Sequence, residues 1–160
     1  MKHYSDIDYD EFFKETKTLL RKNLPAELRQ FKTRRPSNSG WIVVRYPRFK
    51  NSQYELHLSS HSPHHATYFE GGPHVVSAFY YKSNFGDSDR WLEVLESSVE
   101  IIEEQLNKPV EIGPWGENWV WIAESLDEED LTPGNISYLF AQFILVTHKP
   151  ISSAFKAIGR

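Results

Sequence analysis

The chain has 160 residues, of which 39% are apolar, 14% aromatic and 25% charged, and its net charge is −4. That length suits one domain of ordinary size whose core needs no staples, and that composition excludes a disordered chain. The absence of cysteine excludes disulfides, thiolate metal sites and a cysteine nucleophile; with no apolar leader and no window near the roughly 18 apolar residues of a membrane span, a cytoplasmic protein without membrane contact is expected.

Residues 7–24 carry Ile7, Phe12, Phe13, Thr16, Leu19, Leu20 and Leu24 at helical spacing, so an amphipathic helix is predicted there, ended by Asn23 and Pro25. Residues 25–40 read as irregular and basic, with PSNSG as a turn. WIVVRYP at 41–47 reads as a strand, FKNSQ as a hairpin connection, and QYELHLS at 53–59 as a strand that alternates Tyr54, Leu56 and Leu58 against Glu55, His57 and Ser59. A third strand, HVVSAFYYK at 74–82, follows a His/Pro/Gly-rich stretch in which ATYFE at 66–70 is a further short candidate. Residues 87–108 give the strongest helical pattern, with Trp91, Leu92, Leu95, Val99, Ile102 and Leu106 on one side and five glutamates on the other. Pro109 closes it. VEIG at 110–113 and NWVWIAE at 118–124 read as two strands joined by PWGE, and LDEEDLTPGN as an acidic loop. A last helix starts near Thr132 and Pro133, with Pro150 expected to interrupt it.

The order helix, three strands, helix, two strands, helix, without an internal repeat or a boundary signal, predicts a single α+β domain over 1–160: a mostly antiparallel sheet of about five strands packed with helices. An antiparallel sheet with one wet face should show polar residues at alternate positions. Here both phases are apolar or aromatic, as with Trp119 and Trp121 against Val120 and Ile122. Either helices cover both faces or one face meets a partner. The candidate partner face comprises Trp41, Phe79, Tyr81, Trp119 and Trp121, since exposed aromatic patches mark interfaces.

Charge is unevenly placed. Residues 21–50 hold nine Lys/Arg against Glu27 alone, and residues 87–130 hold fourteen Asp/Glu against Arg90 and Lys108. The basic segment supplies a second candidate surface, for nucleic acid: Arg29, Lys32, Arg34, Arg35, Arg45, Arg48 and Lys50 for phosphates, with Tyr46 and Phe49 for stacking.

HLSSHSPHH at 57–65 places four of the seven histidines in nine residues. A zinc site needs three or four ligands converging on one point. Along a strand His57 and His61 share a face but stand roughly 13 Å apart at about 3.3 Å per residue. Glu55 and His57 can supply two ligands, and His61, His64, His65 or His74 would have to fold back to complete a set. No HExxH spacing is present. A polar loop is therefore expected, with no metal and no cofactor, and with any assembly sensitive to pH near 6.5. Nor is there a GxSxG elbow or a phosphate loop; GPWG reads as a tight turn around a packed tryptophan. A restriction-type nuclease needs E-x-K, whereas YELHL gives Glu55-x-His57 and leaves the lysine position unfilled.

The element order resembles the type III secretion chaperone-like fold, a resemblance that implies a small, dimeric binder of unfolded segments of other proteins. QYELHL, LEVLESSVEIIEEQL and GPWGENWVWI are similar to uncharacterised domains, some of them fused to restriction-type nucleases; this likeness implies no catalytic residues. Together these readings favour a non-enzymatic protein-binding module, chaperone-like or adaptor, acting as a homodimer. The alternatives are a nucleic-acid-binding accessory domain through residues 21–50, and a metal-dependent hydrolase around Glu55 and His57.

Overall fold

The computed structural model describes residues 8–34, 39–46, 51–59, 74–82, 86–115, 119–126 and 132–159. Helix α1 spans Tyr9–Asn23. Its first turn is held by Asp8, whose Oδ1 accepts from the amides of Asp10 (3.1 Å) and Glu11 (3.3 Å). Phe12, Phe13, Thr16 and Leu20 recur at helical spacing and are buried. A short 3-10 turn at Ala26–Leu28 buries Leu28 and leads into the sheet.

The sheet has six strands: β1 (Phe31–Arg34), β2 (Ser39–Arg45), β3 (Ser52–Ser59), β4 (His74–Lys82), β5 (Glu111–Trp115) and β6 (Trp119–Leu126). Their spatial order is β1-β2-β3-β4-β6-β5 and every neighbouring pair is antiparallel. The α+β class holds, with one strand more than expected. FKTR at 31–34 falls in the stretch read as irregular; pairing to β2, with Phe31 against Val44 and Thr33 against Ile42, makes it a strand. The candidate strand at 66–70 lies outside the described residues.

Two further expectations change. The helix expected over 87–108 is two, α2 (Ser88–Glu96) and α3 (Val99–Leu106). Ser97 donates its hydroxyl to the Val94 carbonyl (2.7 Å) and the Ser98 amide turns back to Leu95 (2.9 Å). Such local serine bonds compete with the helical ladder. The last helix, α4, runs unbroken from Pro133 to Ala157 with Pro150 inside it. Proline removes the amide that the Val146 carbonyl would accept. Burial outweighs this, because Phe143, Ile144 and Thr147 before the proline and Ile151, Ala154 and Phe155 after it are all in the core. Thr132 caps the other end, accepting from the Asn135 amide (3.2 Å), with Pro133 in the first turn.

Alternation along the strands decides the layers. Ile42, Val44, Tyr54, Leu56, Phe79, Tyr81, Val120 and Ile122 share one cluster with the buried residues of all four helices. At its centre Trp91 stacks on Phe79 (6.1 Å) and meets Phe155 (5.7 Å) and Tyr81 (5.7 Å). Two tyrosines tie the sheet to α4: the Tyr54 hydroxyl shares a hydrogen bond with Thr147 Oγ1 (2.9 Å) and the Tyr46 hydroxyl donates to the His148 carbonyl (3.3 Å). Among the described residues, no helix is long and apolar enough to cross a membrane.

Candidate functional site

The opposite face carries a second, smaller cluster of Ala78, Tyr80, Trp121 and Ala123, with Trp119 packed against it. Among the described residues no helical residue joins that cluster. Register explains its composition. Tyr80 pairs with Trp121, Ala78 with Ala123 and Lys82 with Trp119 across β4 and β6. The two alanines leave room beside the two large rings, which lie 5.8 Å apart. Trp119 meets Tyr80 edge-on at 6.4 Å, and Lys82 places its ammonium 5.9 Å from the Trp119 ring centre.

Strand β3 adds a polar row to the same side. Glu55 is paired with Ala78 and Gln53 with Tyr80. Gln53 Nε2 donates to Glu55 Oε1 (2.9 Å), and His57 Nε2 is 3.0 Å from Glu55 Oε2. Residues i and i+2 on a strand point the same way, so the triplet Gln-x-Glu-x-His is geometrically suited to this chain of contacts. The pair is mostly shielded, with side-chain exposures of 17% for His57 and 13% for Glu55. The His57 and Tyr80 rings are 6.2 Å apart. Burial pushes the Tyr80 phenol far above its ordinary value, and the Glu55 carboxylate pushes in the same direction. Tyr80 is thus a neutral phenol at any physiological pH, and not an acid or base.

The aromatic residues singled out in sequence do not share a surface. Phe79 and Tyr81 lie in the helix-covered core, one register step out of phase with Tyr80 and Trp121. The Tyr81 hydroxyl donates to Asp87 (2.8 Å). Trp121 is fully buried within one chain, so it offers no surface to a partner; Trp119 is only partly buried. Trp41 pairs in register with His57, but its side chain is not among those described.

Of the basic candidates, Lys32 and Arg45 are exposed on the sheet, at the β1–β2 end, where Lys32 pairs with Val43 and Arg45 with Gln53. Arg29 donates from Nε to the Leu24 carbonyl (2.7 Å), closing the turn after α1. Arg34 pairs with Trp41 in register. Arg35, Arg48 and Lys50 lie outside the described residues, as do His61, His64 and His65. Among the described residues, no group of three or more His, Asp or Glu is placed to hold a metal ion.

One polar constellation is absent from the expectations. Glu124 sits on the helix-covered side of β6, opposite Ser77 of β4, and is 2% exposed. Burial pushes its carboxyl up to about 7, against the pull of Lys108 and, more weakly, of the Ser77 hydroxyl. Ser77 Oγ makes no hydrogen bond of ordinary geometry, so it acts as a neighbouring dipole. The signal was available in WVWIAESL: Val120, Ile122 and Leu126 set the core phase, and Glu124 falls in it.

The fold and this surface define an α+β layer with an antiparallel sheet covered by helices on one side and bearing an aromatic–polar face on the other. Comparison with protein-family models, with curated proteins and with solved structures finds no match to this chain.

Proposed function

We propose that the chain is a non-enzymatic protein-binding module, chaperone-like or adaptor, whose working surface is the sheet face opposite the helices. The observation that supports this is the division of the sheet: among the described residues, all four helices contribute to one core cluster and none to the other. The groups that a partner would touch there are Trp119, Lys82, Gln53, Glu55 and His57. A partly buried aromatic ring beside polar groups already oriented by hydrogen bonds is the composition of an interface centre with its rim. On this reading a second copy of the chain docks face to face, a symmetric arrangement in which each Trp119 meets the partner's polar row.

Light scattering on a sizing column tests it, with Trp119→Glu and Lys82→Glu as variants on the face. The expected result is a dimer for the native chain and single chains for both variants, with unchanged circular dichroism. A native chain that runs as a monomer at every concentration would contradict the homodimer.

A second reading rests on Lys32 and Arg45, which are exposed at the β1–β2 end of the same sheet. They are suited to phosphates of a single-stranded nucleic acid, with Trp119 for stacking. Absorbance at 260 nm, co-eluting in low salt and lost in high salt, would favour it over the protein interface.

A further inference from the structure

The connection between α3 and β5 is short and unusually polar for a segment that touches the core. Asn107 ends α3 in the left-handed region (φ 55°). The Lys108 amide then donates to the Glu103 carbonyl (3.3 Å), and the Val110 amide to Glu103 Oε2 (3.0 Å). Glu103 therefore straps the connection from its own helix. The Lys108 side chain goes the other way, inward, and its Nζ is buried without a hydrogen-bond partner.

A buried ammonium with no partner is costly unless an opposite charge lies near. The opposite charge that acts across this core is Glu124, 2% exposed on β6, with the buried Ser77 hydroxyl opposite it on β4. Among the described residues, α3 brings one further charge to the connection, Glu103, whose carboxylate accepts from the Val110 amide (3.0 Å); the buried residues of α2, α3 and α4 are themselves uncharged. On β5, Glu111 pairs with Ala123, one step out of phase with Glu124, and is exposed.

We infer that Glu124, Ser77 and Lys108 form a proton-controlled latch that fastens the α3–β5 connection to the sheet. With Glu124 ionised, its charge holds the Lys108 ammonium inside. When Glu124 takes a proton from solvent, the ammonium loses its counter-charge and moves out to water, and the connection loosens while the six-stranded sheet persists. Because the Glu124 carboxyl is held near 7, the latch switches within the range of pH that cells and their compartments span.

Amide hydrogen exchange, corrected for intrinsic rates and followed from pH 5.5 to 8.5, tests this. The readout is protection at Lys108 and Val110, with the central β3 and β4 amides as internal reference. The native chain is expected to lose about tenfold protection at these two amides on acidification, centred near pH 7, while the reference amides stay constant. Glu124→Gln removes the transition. Glu103→Gln keeps it, because the amide oxygen that replaces the carboxylate can still accept from the Val110 amide and Glu124 is untouched. Carbon-13 carboxyl NMR supplies a readout that survives if a variant fails to fold: Glu124 in the native chain titrates near pH 7, and in Lys108→Met its midpoint moves upward. No transition in the native chain, a transition that persists in Glu124→Gln, or a Glu124 midpoint below 5 would each overturn the inference.

Discussion

Glu124 also sets a global prediction whose size follows from its burial. In the unfolded chain its carboxyl has the ordinary value of 4.5, and in the folded chain about 7. Its pKa is raised on folding, so between these values the native state binds more protons than the unfolded state. The contribution of Glu124 to stability is then most favourable below pH 4.5 and is lost as pH rises through 7, where the folded protein must carry a buried carboxylate. A difference of this size corresponds to about 3 kcal/mol, at about 1.4 kcal/mol per pKa unit. The assay is urea denaturation of the native chain and Glu124→Gln at several pH values from 4.5 to 8.5. Every other titrating group is common to both proteins, so the difference between the two curves isolates this residue. Glu124→Gln is expected to gain on the native chain by about 3 kcal/mol across that range. A difference that is flat with pH, or that narrows as pH rises, would refute the reasoning.

Other perturbations probe the packing. Trp91→Leu removes the ring that Phe79, Tyr81 and Phe155 surround and should cost about 3 kcal/mol in chemical denaturation. Tyr54→Phe should cost about 1 kcal/mol, because Thr147 keeps its bond to the Phe143 carbonyl (2.6 Å). Pro150→Ala restores a helical amide inside α4 and should raise the melting temperature, by an amount equivalent to about 1–3 kcal/mol. Asp8→Ala releases the two amides it caps, and a loss of about 1 kcal/mol is expected in the same assay.

How far the sequence carried these conclusions differs from element to element. Helix α1 was legible from its apolar spacing and its terminator at Asn23 and Pro25, though it starts at Tyr9 behind an Asp8 cap, and the start of α4 was legible at Thr132 and Pro133. Strand β1 was not, because FKTR has no period of its own and becomes a strand only through its pairing with β2. The break between α2 and α3 was hidden by a continuous apolar stripe, against which two serines make only local bonds. At Pro150 the local rule was sound and was overridden by burial on both sides.

The candidate site shows a different gap. Alternation correctly separates Phe79 and Tyr81 from Tyr80, and Trp119 and Trp121 from Ile122. Which phase of β4 shares a side with which phase of β6 depends on register, and register was not in the sequence. Once Tyr80 is set against Trp121, the aromatic group divides into a half packed under the helices and a half on the opposite side of the sheet. Gln53, Glu55 and His57 were visible as one phase of β3, and their mutual hydrogen bonds follow directly from that spacing.

The proposal that the sheet face opposite the four helices is the working surface is tested most directly by mapping self-association residue by residue. Backbone amide NMR spectra recorded over a dilution series report where one copy meets another. The account predicts concentration-dependent shifts at Gln53, Glu55, His57, Lys82 and Trp119, with none on the outer sides of α3 and α4. Shifts clustered instead at the exposed apolar side chains Ile101, Tyr138 and Leu145, or no shifts at any concentration, would contradict it.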